Sequence, residues 1–486
     1  MAHTESGNKY VGYLHIAIGL FMMFVLGRII EPIYPLTDVG MQVVGVFLGV
    51  IWMWCFVGFL WPSLMSLVAF GLTDFAGFGQ VMTMSFGNNV AVLLLFSMIL
   101  FGSPQYVGAT RYITRFFLTR KVFNNRPIVF AFVFFLATYA LSIAVNVTPS
   151  LVLMWTVLYG VLRELDYKKG DRFASMMIVG TFLGAISGQA SLPFTGSTLA
   201  IISVFNTASE SVMPVPQYML LGFTYSIIGL TSFSLFMKFL LKPHELEKVA
   251  HVNTSMFEKD PLPPMSRLQK ANFFSMLAFV ILMLLPWFLP DGFVITEFLN
   301  TLGATGVAIL ITAVMCLARA EGKPILDFEA VASKAINWNV YVMVAAAMAI
   351  ASALTNEATG VINMMLIIFE PVLAGHTPGV YGVIMLLVGI FVTSFASSLV
   401  IGIALMPVLV VFGLEAGANL YAIAATTILL LHYSIILPSA SVFAAMLWSN
   451  SEWISRKEVF SYGAVIVGIA VVAAVGIILP FANVIF

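Results

Sequence analysis

Two short clusters of polar residues interrupt long apolar stretches of the sequence. The first is LSIAVNVTPS at 141–150, in which Pro149 is expected to break the helix, and the second, about 250 residues later, is FVTSFASSLV at 391–400. Their hydroxyl and amide oxygens are hard donors of the kind that bind Na⁺. Where such a cluster breaks a helix, backbone N–H groups at the new helix start can bind a carboxylate or another oxyanion. The clusters therefore predict a binding site for a small anion and a cation.

Each cluster is followed by a further apolar segment that Gly, Pro and Ser interrupt. These segments cover 173–200 and 420–448, and their interruptions read SGQASLPFTGS at 187–197 and LPSAS at 437–441. Broken backbone at membrane depth must line a cavity or be buried in protein, because unpaired backbone groups are costly in hydrocarbon. The interruptions are therefore expected to contribute to the same site.

Charged residues are missing from the apolar segments that carry these features. No Lys, Arg, Asp or Glu occurs in 127–162, 173–200, 379–411 or 420–448. Without a fixed cation, an anionic substrate needs bound Na⁺ to offset its charge. The clear candidate for proton coupling is His432, since titratable groups inside membranes often relay protons. A lone histidine there more often bonds one helix to another, so both interpretations of His432 stay open.

The overall composition indicates where these segments lie. The chain has 486 residues, of which 61% are hydrophobic and 9% charged, and its net charge is zero. Soluble proteins carry about 25% charged residues, and no water-soluble fold can bury this much apolar surface. A soluble enzyme, a nucleic-acid binder and a disordered protein are excluded. The sequence predicts an all-α polytopic protein of the plasma (inner) membrane, embedded in the lipid bilayer.

Catalytic motifs are absent from the sequence. It contains no HExxH, GxSxG, Walker A or dinucleotide-binding pattern. No serine has a histidine partner at a spacing that would indicate a catalytic pair, which argues against an intramembrane hydrolase. Cys55 and Cys316 lie in apolar segments without a metal-binding spacing. We therefore expect no enzymatic activity and no organic cofactor, with Na⁺ as the coupling ion.

Hydropathy predicts about 11 transmembrane helices and two re-entrant hairpins. A spanning helix needs about 20 apolar residues. The regions 127–162 and 379–411 are each long enough for two shorter arms, with a polar cluster at the tip, whereas 63–77 is short for a span. The clear single spans are 11–29, 41–61, 90–107, 218–241, 271–290, 302–319, 338–355 and 461–485.

The two halves of the chain show the same order of features, and charge placement orients them. SFGNNVAVLLLFSMILFGS (85–103) aligns with AINWNVYVMVAAAMAIASA (335–353). Nine Lys and Arg residues flank the first hairpin, and none flank the second. Basic loops stay cytoplasmic, so hairpin 127–162 opens from the cytoplasm and the second hairpin from the opposite side. This predicts two inverted repeats, which place substrate and ion sites near the midplane.

In these motifs the sequence resembles the divalent anion:sodium symporters, the INDY-type sodium-coupled dicarboxylate and citrate transporters. The resemblance is clearest in FVTSFASSLVIGIALMP (391–407), at the place of the family's second Ser-Asn-Thr motif. It continues through LPSAS (437–441) and INWNVYVMVAAAMAIASAL (336–354). The resemblance implies sodium-coupled symport of a small organic anion by a homodimer. It also implies an elevator mechanism, in which a transport domain slides against a scaffold.

The resemblance also assigns roles to individual residues. It implies two sodium sites, formed by Ser142, Asn146 and Gly188 and by Thr393, Ala396, Ser397 and Ala440. It implies substrate contacts from Asn146, Val147, Thr148, Ser397, Ser398, Leu399, Pro438 and Ser441. Val147 and Ser398 stand where the family has asparagines, and Leu399 where it has a threonine. We therefore expect a substrate that is less highly charged or partly apolar.

The same resemblance divides the chain into scaffold and transport parts. The scaffold would comprise 1–84 and 216–334, with a cytoplasmic linker at 242–270. The transport domain would comprise 85–215 and 335–460, followed by a C-terminal helix at 461–486.

Two further functions remain as alternatives. One is a proton-coupled or exchange transporter of a less charged substrate, independent of sodium, with His432 as the proton carrier. The other is an ion channel, which needs a continuous pore, whereas two opposed hairpins indicate alternating access.

Overall fold

The computed structural model of the chain describes residues 9–118, 125–194, 196–241, 245–246, 248, 263–290, 292–373, 375–394, 397–450 and 452–486. Within these ranges the protein is almost entirely helical. The helices of the first half are α1 (Lys9–Phe21), α2 (Gly27–Ile29), α3 (Asp38–Phe56), α4 (Leu60–Gly71), α5 (Phe78–Met84), α6 (Asn89–Tyr106), α7 (Thr110–Leu118), α8 (Pro127–Val145), α9 (Val147–Glu164), α10 (Arg172–Ala190), α11 (Gly196–Ala208) and α12 (Val215–Leu240).

The second half is also mainly helical and follows the predicted linker, most of which lies outside the described residues. Its helices are α13 (Arg267–Phe288), α14 (Val294–Leu317), α15 (Phe328–Ala335), α16 (Trp338–Leu354), α17 (Val361–Leu373), α18 (Pro378–Thr393), α19 (Ser398–Glu415), α20 (Leu420–Leu431), α21 (Val442–Trp448), α22 (Arg456–Ala473) and α23 (Leu479–Ile485). Strands β1 (Arg319–Ala320) and β2 (Lys323–Pro324) pair antiparallel in the connection after α14.

The expected polytopic all-α architecture is confirmed. Ten helices in the described part of the chain are long and apolar enough to cross a membrane, or up to eleven spans with the bent pair α15–α16. That pair is bent by 79°. The ten include α8 and α19, one arm of each predicted hairpin. The short apolar stretch after residue 60 forms helix α4, which is shorter than a full span.

The same sequence of elements occurs twice along the chain. A short helix and a long helix (α5–α6, α15–α16) come before a helical hairpin (α8–α9, α18–α19) and a broken helix (α10–α11, α20–α21). The two long helices begin alike, because the Oδ1 atom of Asn88 accepts from Val90 N at 2.9 Å and that of Asn337 from Val340 N at 3.4 Å. Asparagine suits a helix start because its side chain satisfies a free backbone donor.

Helix α10 lies at the centre of the protein, where a row of glycines brings it close to α8. Every residue from Phe173 to Ala190 is buried. A Cβ atom added at Gly184 would lie 2.5 Å from the carbonyl oxygen of Phe135, and one at Gly188 would lie 2.5 Å from that of Tyr139. Small residues at four-residue spacing allow helix backbones to approach in this way. The first hairpin is therefore fixed against α10 along its length.

We expect Gly184→Ala to destabilise the protein by about 1–3 kcal/mol, because the added methyl group collides with a backbone carbonyl that cannot rotate away. The matched control is Gly160→Ala on α9, where an added Cβ has no neighbour within 4 Å. There the change is expected to be neutral or stabilising. The measurement is the Tm of the detergent-solubilised variants, and equal Tm values for Gly184→Ala and the wild type would contradict the packing argument.

Candidate functional site

Both hairpin tips and both helix breaks meet at one cavity of about 990 Å³. This volume is in the range of sites that bind small molecules. The predicted site residues that line it are Ser142, Asn146, Thr148, Ser397, Ser398, Leu399 and Ser441. These seven residues come from three of the four segments that the sequence predicted to cooperate, and Gln189, Gly196 and Ser197 of the first helix break line the same cavity.

The remaining predicted residues have other positions. Val147, Gly188, Thr393 and Ala440 are buried beside the cavity and do not line it, and Pro438 is exposed. Ala396 lies outside the described residues.

The first hairpin turns at Asn146, which has φ 132° and ψ 166°. An L-residue adopts this backbone conformation only under strain, and such strain concentrates at functional sites. The Asn146 side chain accepts from the backbone N–H of Val147 at 2.7 Å and so holds the turn. Pro149 does not itself break the helix, because it lies in the first turn of α9, where no backbone donor is needed.

The predicted ligands of the first sodium site are close neighbours. The Ser142 hydroxyl donates to the carbonyl oxygen of Ala185 at 2.6 Å. Its proton is thereby committed, and its lone pairs stay available to a cation. Gly188 lies against Ser142, since a Cβ at Gly188 would be 2.8 Å from the Ser142 Cβ. Ser142, Gly188 and the turn at Asn146 thus surround one region of the cavity wall.

The second hairpin tip offers a helix start with free backbone donors. Ser397 precedes α19, and its side chain does not cap the helix. The Thr393 hydroxyl has a different role, because it bonds to Ser434 at 2.6 Å and to the carbonyl oxygen of Gly389 at 2.8 Å. Thr393 thus ties the hairpin to the second helix break, and a cation there would compete with Ser434 for its oxygen.

The second helix break contains a 3-10 turn, Pro438–Ala440, before α21. The Ser441 hydroxyl accepts from the backbone N–H of Ala444 at 3.0 Å and caps α21. Since a capping hydroxyl keeps its own proton, Ser441 can still donate to a ligand in the cavity.

His432 bonds the two helix breaks to each other. Its Nδ1 atom lies 2.8 Å from the carbonyl oxygen of Ile428, which can only accept, so Nδ1 carries a proton. Its Nε2 atom lies 3.2 Å from the Ser197 hydroxyl and 3.1 Å from that of Thr198, at the start of α11. With Nδ1 protonated, the Nε2 atom of a neutral imidazole can accept from one of these hydroxyls, and the Thr198 hydroxyl can instead donate to the carbonyl oxygen of Gln189 at 3.3 Å.

Two lining residues carry chemistry to which the sequence analysis assigned no role. Gln189, at the end of α10, is 6% exposed, and its Oε1 atom has no hydrogen-bond partner in the described structure. Lys334, at the end of α15, is the one charged residue among the described residues that line the cavity. Gln189 belongs to the predicted first helix break, but the sequence does not reveal that its side-chain oxygen lacks a hydrogen-bond partner. Lys334 lies just outside the uncharged apolar segments that the sequence predicts to form the site.

The electrostatic character of the cavity comes mainly from backbone. Residues in the first turns of α9, α11 and α19 line it, and no aspartate or glutamate does so among the described residues. A helix start carries about half a positive charge. The site is therefore suited to an anion that is bound without a basic side chain at its centre.

A helical membrane protein in which paired hairpin tips and broken helices meet at one cavity has the architecture of a secondary transporter. The solved structure of the Alcanivorax borkumensis YdaH transporter, described as having an unusual topology, is similar to this chain. The similarity covers 98% of both chains, with a TM-score of 0.57 and 13% sequence identity. It shows the shared fold.

The chain belongs to the citrate transporter family, whose model matches residues 47–431. No curated protein sequence matches the chain. The family match confirms the resemblance found in the sequence, and both comparisons are to transporters and not to enzymes.

Replacing Gln189 tests whether its buried side-chain oxygen lowers the free energy of unfolding of the protein. Gln189→Leu removes a buried amide oxygen that has no partner, so we expect it to stabilise the empty protein by about 1–3 kcal/mol. Ser191→Ala is the contrasting variant. It removes a hydroxyl that bonds to Tyr139, Ser226 and Ser187, and should destabilise by a similar amount. The measurement is the Tm of each variant without ligand. A lower Tm for Gln189→Leu than for the wild type would contradict the claim that the Gln189 oxygen is destabilising.

Proposed function

We propose that the protein is a sodium-coupled symporter of a small organic anion, carboxylate or dicarboxylate in character. The observation that supports this most is the cavity, where the starts of α9, α11 and α19 meet and the described lining residues include no aspartate or glutamate. Backbone donors and helix dipoles at this point favour a bound oxyanion. The membership of a family described as citrate transporters agrees with a carboxylate substrate.

Sodium is the proposed coupling ion because the cavity wall provides neutral oxygen atoms. The hydroxyl of Ser142 and the backbone around Asn146 and Gly188 form the first proposed site. The region of Thr393, Ser397 and Ala440 forms the second. A cation in either place would reduce the charge that the helix starts must balance, so anion binding would depend on it.

The wall of the cavity also supports a substrate with an apolar part. Leu399 lines the cavity where the related family has a threonine, and Val442 and Phe443 lie in the same wall. The buried Val147 contributes no polar group. A compact organic acid with one apolar face would contact both kinds of surface.

An elevator mechanism fits the one-sided shape of the cavity, and the homodimer is proposed from the family resemblance alone. It extends along the second half of α6 and the first half of α9, but it reaches only the tip of the second hairpin. Such a site is open toward one membrane face and must be carried across for release on the other. The basic loops around the first hairpin support a cytoplasmic location for the open side.

Sodium dependence is tested by uptake of labelled citrate, succinate and a monocarboxylate into proteoliposomes. We expect an inward Na⁺ gradient to drive uptake of at least one acid, and choline in place of Na⁺ to reduce it to background. Ser398→Ala should weaken uptake by about 10-fold or more, since it removes a hydrogen bond to a charged group. The control is Ser449→Ala, whose exposed hydroxyl bonds only within its own helix turn.

Unchanged uptake in choline would rule out sodium coupling. Failure of every acid to be taken up, or to raise the Tm by mass action with and without Na⁺, would rule out an anion transporter. Large unitary currents would instead indicate a channel.

Proton coupling is the second candidate, because His432 contacts Ser197, which lines the cavity. Gln can supply one donor and one acceptor, so His432→Gln should preserve the link between the helix breaks. Under sodium coupling we expect this variant to keep uptake within about 3-fold of wild type, with an unchanged pH profile. Loss of uptake in His432→Gln at unchanged Tm, with sodium-independent transport in the wild type, would establish the proton-coupled alternative.

A further inference from the structure

Lys334 lies in the wall of the cavity, apart from the polar tips that form the proposed binding site. It is the only charged side chain among the described lining residues. Resting on the proposed function, we propose that Lys334 captures the anionic substrate in the vestibule. It would set the affinity for that anion at the membrane face to which the cavity opens.

The backbone that carries Lys334 is held firmly. Helix α15 meets α6 at Gly102, where an added Cβ would lie 2.4 Å from the Ala335 Cβ. The Lys334 Nζ atom lies 4.9 Å from the centre of the Tyr106 ring at the end of α6. An aromatic face attracts an ammonium group but leaves its N–H donors free for an anion. The charge is therefore fixed in position without being neutralised.

Among the described residues, no carboxylate forms a salt bridge with Lys334. The side chain is exposed. Its field therefore reaches the solvent in the vestibule, where charges of one sign raise the local concentration of a counter-ion. Asn337 and Asn339 line the same part of the wall and add hydrogen-bonding groups.

The position of Lys334 gives the proposal a direction. The cavity extends toward the end of α6 and along α9, the side on which the basic loops follow α6 and α9. Under the proposed orientation this is the cytoplasmic face. Lys334 should then act on substrate that binds from the cytoplasm and not on substrate that binds from outside.

The test compares Lys334→Gln and Lys334→Arg in inside-out and right-side-out vesicles with labelled citrate as the probe. We expect Lys334→Gln to raise the KM at the cytoplasmic face by about 3- to 10-fold, the effect of one charge near the substrate in water. The kcat and the external KM should change little, and Lys334→Arg should retain the wild-type KM. Lys323→Gln, which removes an exposed charge on β2 outside the cavity, is the matched control.

Ionic strength distinguishes capture from a structural role. Added choline chloride at constant Na⁺ should remove the difference between Lys334→Gln and wild type, because it screens exposed charges. A lowered Tm that Lys334→Arg does not restore, or a KM change equal at both faces, would overturn the proposal. Uptake by the wild type with choline in place of Na⁺ tests sodium coupling, whereas the KM values of the Lys334 variants test capture of the anion. The two proposals can therefore fail independently.

Discussion

An interrupted helix in an apolar environment leaves backbone N–H and C=O groups without partners, and four such interruptions determine the architecture of this protein. At Asn146 the side chain satisfies the next backbone donor. At the second helix break Ser441 does the same for α21. At Ser397 no side-chain cap is present, and the first residues of α19 line the cavity. The proposed binding site thus lies where the helices are interrupted.

Keeping these interruptions in register requires rigid packing behind them. The glycines of α10 bring its backbone against α8, which fixes the first tip. Buried hydroxyls then connect the remaining segments. Ser187 bonds to Tyr433 at 2.9 Å, and Thr393 bonds to Ser434. Both bonds join elements that are far apart in sequence. Buried hydroxyl pairs are costly to separate, so these bonds favour a fixed arrangement of the segments around the cavity.

The sequence analysis predicted the hairpins, the helix breaks and the meeting of the tips, because each depends on local composition. Polar residues in an apolar run and Gly or Pro within a span are visible without tertiary information. The exact position of the first turn and the full set of cavity-lining residues could not be predicted from the sequence. The sequence pointed to Pro149 as the residue that breaks the helix, whereas the chain turns three residues earlier, at Asn146. The wall positions of Gln189 and Lys334 depend on packing against α11 and α6, which residue type alone does not reveal.

In the proposed site, attraction of the anion and its binding at the centre of the cavity depend on different groups, whereas a single basic residue would have to do both. A lysine at the centre of the site would bind an anion tightly and would have to lose its hydration whenever the site closed, which is costly in a low dielectric. Helix starts carry only partial charges that are fixed in place and already desolvated. In the proposed function, a full charge at the exposed Lys334 would attract the anion without that cost. The near absence of charge from the spans is therefore consistent with a site that must bind an anion and also release it.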